Sequence, residues 1–197
     1  WDVPPIYYLA MITLVKCELW LAQGRTDLAD AWLARLGQTY TGERAAAPPE
    51  FHPQLPLHVE LQQAVLESIR GQPMLAQGRL DALLEHGQQT GRQMLSVMAL
   101  NQKVALLLSI GREPEARRTL AQAFEAASGG VLQPFEWLFG EHREWLREQL
   151  LHAPPSSLRD HLLERLPSTA AQPADPTAPV ETLSSRERAV LQLIAQG

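Results

Sequence analysis

Three glycines set the register of this chain. After Gly24, offsets of 5, 9 and 12 residues reach Ala29, Leu33 and Leu36; after Gly71 they reach Ala76, Leu80 and Leu83; after Gly111 they reach Ala116, Leu120 and Ala123. Each glycine closes a stretch whose apolar residues recur at helical spacing, and another such stretch follows it. Glycine takes up the left-handed conformation that ends a helix without strain, and a small Ala five residues on lets the second helix close against the first. The larger apolar residues one and two turns later fill the groove to the next element. Helix pairs of this kind cannot bury their apolar faces alone, so they stack.

Apolar residues keep the helical rather than the alternating period almost throughout, which makes the expected class all-α. The spacing predicts helices near 5–23, 26–40, 55–70, 73–90, 92–110, 113–128, 135–151 and 156–166. Gly78 falls inside one of them at a cost of about 1 kcal/mol relative to Ala, which points to a kink or a close helix contact. The Gly, Ala, large-apolar and final Ala positions together resemble the tetratricopeptide repeat. The glycine separations, 47 residues from Gly24 to Gly71 and 40 from Gly71 to Gly111, exceed that family's period of about 34. Longer helices and the loop GERAAAPPEFHPQLP account for the excess. The resemblance implies a helical-hairpin solenoid, an α-α superhelix, over residues 1–166.

From Pro167 to Glu181 the sequence PSTAAQPADPTAPVE carries four prolines and no aromatic residue, the composition of a flexible linker. Extended, it reaches about 45 Å at about 3.1 Å per residue. The closing segment, 182–197, reads as one capped helix. Ser184 and Glu187 stand in the capping-box arrangement, the hydroxyl oxygen accepting from the Glu187 N–H and the carboxylate accepting from that of Ser184. Val190, Leu191 and Ile194 make an apolar face, and Gly197 is a helix-ending residue.

The string LSSRERAVLQLIAQG also resembles the first helix of the LuxR-type helix-turn-helix domain, through Leu183, Ser184, Arg186, Glu187, Val190, Leu191, Ile194, Ala195 and Gly197. That resemblance implies a DNA-binding domain whose recognition helix follows the segment seen here, so specific DNA binding is expected only of the complete domain. Long repeat-like helices, a Pro-rich linker and this helix together resemble the C-terminal half of the large MalT-like transcription activators. In that class an ATP-dependent domain precedes a regulatory helical-repeat domain. The class implies a small-molecule effector or regulatory protein as partner, self-association of the full-length protein, and ATP only upstream of Trp1.

The chemistry-bearing residues offer little else. Gly37 and Gly42 have phosphate-loop spacing, but Glu43 and Arg44 stand where Lys and Ser or Thr must hold phosphate and magnesium. No histidine pair has the spacing of a helical metal site, so no metal or cofactor is expected within the chain. Cys17, the single cysteine, lies among apolar residues and reads as a small buried hydrophobe, which fits a reducing, cytoplasmic setting. The net charge of −5 argues against wrapping nucleic acid, and no apolar run is long enough for a membrane span. An enzyme is not expected.

Aromatic residues cluster at the two ends and are missing from His52 to Ala123. One reading makes them end caps of the array. The other sets Phe135, Trp137 and Phe139 around an effector on the concave face, with Gln133 and Glu136 adding hydrogen bonds. The function expected is thus a signal-sensing helical-repeat domain of a LuxR-type regulator, the alternative being a tetratricopeptide-like adaptor that binds a protein segment and no small molecule.

Overall fold

The structure, a computed structural model, describes residues 5–40, 55–127, 135 and 142–166, and of 5–11 and 37–40 the backbone alone. The described residues form eight α-helices and no strand: α1 (Pro5–Ala22), α2 (Thr26–Tyr40), α3 (Leu55–Ile69), α4 (Pro73–Gln89), α5 (Gln93–Ser109), α6 (Glu113–Ala126), α7 (Arg143–His152) and α8 (Ser157–Arg165). They belong to the first of two compact units, Trp1–Leu166 and Pro167–Gly197. The second unit, with the Pro-rich stretch and the 182–197 segment, lies outside the described residues. No described helix is long and apolar enough to cross a membrane.

Four helix-to-helix connections are built alike. Gly24, Gly71, Gly91 and Gly111 all take positive φ, between 65° and 73°. In the first of them the Gly24 N–H donates to the Leu21 carbonyl and the Arg25 N–H to that of Trp20; Gly71 with Gln72, Gly91 with Arg92, and Gly111 with Arg112 repeat both bonds. This is the Schellman turn, which satisfies two carbonyls that a helix end leaves without partners. The residue after each glycine then starts the next helix, its carbonyl accepting from the N–H of Ala29, Ala76, Ser96 or Ala116. Three residues suffice to reverse the chain each time, so α3, α4, α5 and α6 follow one another as hairpins.

Packing follows the connections. Along α1 to α6 each helix rests on the next, α1 also meets α3, α3 meets α5, and α7 rests on α8. Ala29, Ala76 and Ala116 have no exposed surface, and the Leu and Ala residues at the later offsets are buried with them. Ionic ties add to the apolar seams. The Arg79 guanidinium on α4 donates to both carboxylate oxygens of the nearly buried Glu67, at 2.7 and 3.2 Å, and also pairs with Glu60 two turns earlier on α3. Arg70 reaches Asp30 of α2 at 3.0 Å, and Lys103 of α5 reaches Asp81 of α4 at 2.6 Å.

Two sequence expectations change. The spacing predicts the seventh helix near 135–151, but it runs Arg143–His152, and Phe135 is a 3₁₀ residue. Leu146 and Leu150, one turn apart, are the residues α7 buries. At Gly78 the close helix contact is absent: a Cβ there meets nothing within 4 Å. The tight spot is Gly87 instead. A Cβ on it would lie 2.5 Å from Ser96 Oγ and 3.2 Å from the Ser96 backbone nitrogen, so the α4–α5 hairpin closes over a glycine.

These surroundings set opposite outcomes for three glycine-to-alanine changes, read from thermal or urea melts. Gly78→Ala should stabilise by up to about 1 kcal/mol. Gly71→Ala, at φ +71°, should cost about 1–2 kcal/mol through left-handed strain. Gly87→Ala should cost about 1–3 kcal/mol by overpacking, and Ser96→Ala in the same chain should recover part of that loss because it removes the nearest atom.

Candidate functional site

Three stripes of side chains at helical spacing border one groove. They are Val15, Glu18 and Leu19 on α1; Gln62, Val65 and Ile69 on α3; and Gln102, Ala105 and Ser109 on α5. Each set follows the three-to-four-residue rule that puts side chains on one helix face. The three helices come together because α3 meets both α1 and α5. The groove measures about 880 Å³, and His142 also lines it.

The apolar character of α1 explains part of this site. Its sequence, PIYYLAMITLVKCELWLA, is apolar nearly all round rather than along one stripe. Leu14, Cys17 and Leu21 enter the core with Ala29, Leu33 and Val59. Val15 and Leu19 are left about half exposed, at 52% and 49%, as is Ile69 across the groove, at 49%. An apolar helix presenting large side chains to an open groove is a binding-surface feature.

Among these apolar walls sits one carboxylate. Glu18 Oε1 accepts from Gln62 Nε2 at 2.8 Å, a bond that spans 44 residues of sequence. Burial pushes the Glu18 carboxyl above the usual carboxylate range. Its neighbour Cys17 is fully buried, and its thiol is pushed up to about 11, first by burial and then by the Glu18 charge. That thiol stays protonated and packs as a hydrophobe, its sulfur 3.9 Å from the Ala29 carbonyl oxygen. A second cavity of about 540 Å³ lies between the end of α4 and the start of α5, next to the Gly87–Ser96 contact, with Gln122 and Glu125 of α6 on its rim.

Of the effector and helix-turn-helix residues singled out from the sequence, Phe135 alone is among the described residues. Gln133, Glu136, Trp137 and Phe139 lie outside the described residues, as do Leu183, Ser184, Arg186, Glu187, Val190, Leu191, Ile194 and Gly197. Phe135 has no exposed surface: its ring stacks at a tilt of 31° on Phe124, centroids 5.3 Å apart, within the cluster that holds Leu146, Leu150, Leu162 and Leu166. It therefore fills the core and offers a ligand no face. Trp145 is likewise tied down, its indole N–H donating to Glu113 at 3.1 Å. Among the described residues no group of three or more His, Cys, Asp or Glu stands close enough to hold a metal.

Sequence reasoning missed Glu18, Gln62 and Asn101. Glu18 in ITLVKCELWLA was the signal for the first, a carboxylate in the most apolar helix. Gln62 carries no such mark. Asn101 is buried on α5, and its side-chain amide has no partner among the described residues.

The raised Glu18 pKa has a consequence for stability. The folded state holds that proton more tightly than the unfolded chain, so the protonated form's stability is present at low pH and is lost as pH rises through the raised value. Glu18→Gln keeps an acceptor for Gln62 and should melt above the wild type at neutral pH. The gap should close as pH falls toward the ordinary carboxyl range, which paired thermal melts across that range would read.

Compared with family models, with curated proteins and with solved structures, the chain has no match.

Proposed function

We propose that residues 1–166 are the regulatory helical-repeat region of a LuxR-type, MalT-like transcription regulator, and that the groove bordered by α1, α3 and α5 is where it receives its signal. The observation that carries this reading is the recurrence of one glycine turn at four hairpins, together with the meeting of alternate helices, α1 with α3 and α3 with α5. A tetratricopeptide-like array has that nearest-neighbour order, and its first-of-pair helices share one concave surface. The Pro-rich 167–181 stretch and the LuxR-like string at 182–197 supply the transcriptional part of the proposal.

In this reading an effector or regulatory protein binds the repeat region of one conformational state more tightly than that of another. The difference in affinity shifts the whole protein toward self-association and DNA binding. DNA contact belongs to the complete helix-turn-helix domain, and ATP to a domain upstream of this chain. Trp137 with Gln133, Glu136 and Phe139 remains the rival location for the effector.

A thermal-shift screen of this chain against a broad metabolite panel tests the reading. A saturable stabilisation lost in Leu19→Asp and kept in Trp32→Ala supports an effector groove on α1. Loss in Trp137→Ala with Leu19→Asp unaffected moves the site to the aromatic segment. No hit across the panel, with capture of a defined peptide segment by the groove, replaces the regulator with the adaptor.

A further inference from the structure

The groove has a charge character that narrows what it takes. Among the described residues that line it, Glu18 is the only carboxylate and none is Lys or Arg. Described salt bridges tie Arg70, Arg79, Lys103, Arg112, Arg117 and Arg159 to other acids, and none reaches Glu18. The other polar groups among the described lining residues are neutral amides and hydroxyls, those of Gln62, Gln102, Ser68 and Ser109, with the imidazole of His142. Gln62 donates to one carboxylate oxygen, Oε1, and holds the group in place within the groove.

A carboxylate in an apolar setting has lost much of its water, so a cation brought beside it gains more than it would at an open surface. An anion would meet the same charge as repulsion. The apolar flanks, Val15 and Leu19 on one side and Ile69 on the other, would cover a hydrocarbon body. At about 880 Å³ the groove falls in the size range of small-molecule sites.

From charge complementarity and these walls we infer that the groove binds a small amphiphilic monocation, an apolar body with one ammonium or guanidinium group that pairs with Glu18. The inference rests on the effector-sensing reading for its biological role and names the chemical class of the effector. Gln62 orients the carboxylate, and Gln102 and the serine hydroxyls accept the remaining N–H groups of the head.

The test is calorimetric titration of the full 197-residue chain with octylammonium, octanoate and octan-1-ol, which share a chain length and differ in charge. Wild type, Glu18→Gln and Glu85→Gln are compared, Glu85 being bonded to Gln89 on α4 and outside the groove. Circular dichroism melts establish that both variants fold. Octylammonium should bind saturably to the wild type and to Glu85→Gln, and about ten-fold or more weakly to Glu18→Gln, the scale of one lost charge-assisted bond. Octanoate should show no saturable binding, and octanol should bind no better than octylammonium does to Glu18→Gln.

Equal binding of octylammonium to Glu18→Gln, equal binding of octanoate to the wild type, or no saturable binding of octylammonium overturns the inference. Glu18-dependent binding of the capped peptide Leu-Lys-Leu without binding of octylammonium also overturns it, in favour of a peptide. The regulatory reading is judged elsewhere, by self-association and operator binding of a longer protein that carries the complete DNA-binding domain. Either can fail while the other stands.

Discussion

The left-handed glycine between helices is the constraint on which the rest of this structure depends. A helix end leaves carbonyls unsatisfied, and the turn at Gly24, Gly71, Gly91 and Gly111 closes two of them while reversing the chain within three residues. With so short a connection the next helix has no choice but to lie against the last. Its first inward residue must then be small, which is why Ala29, Ala76 and Ala116 are buried without any exposed surface. At the α4–α5 turn the residue is Ser96 and the accommodation passes to Gly87. The same close approach is reached from the opposite side of the interface.

Hairpin succession has a second effect. Because α2 and α4 fill the intervals between them, α1, α3 and α5 are brought to a common groove although they are separated by whole helices in sequence. The side chains that border it conflict with one another by ordinary rules, since large apolar groups stand half exposed around a partly buried carboxylate. Local inconsistency of this kind marks a functional surface more often than a packing requirement. The core needs neither Val15 nor Leu19, and Leu14, Cys17 and Leu21 on the same helix already supply it.

The all-helical class was legible because helical periodicity and glycine punctuation agree along the chain. Three of the four turns were legible for the same reason. Gly91 was not, because the offsets that expose its fellows give Ser96, Leu100 and Lys103 there, and only one of those is a large apolar residue. The separation of 40 residues between Gly71 and Gly111 is two 20-residue steps, each one helix and one turn. At Phe135 the sequence leaves two readings open, because a ring packed on Phe124 in a core cluster has the same sequence appearance as a ring on a ligand.

The sequence by itself therefore determined most of the helices, three of their turns and the small residues that let them close, since each follows from interactions within about a dozen residues. Tertiary structure alone decided which apolar residues were to be core and which were to wall a groove. Helix periodicity puts Leu14 and Val15 a residue apart on neighbouring faces, and only the helices on either side say which face is covered. It also decided that Glu18 should meet Gln62, 44 residues away, because that distance is closed by stacking and not by any local preference.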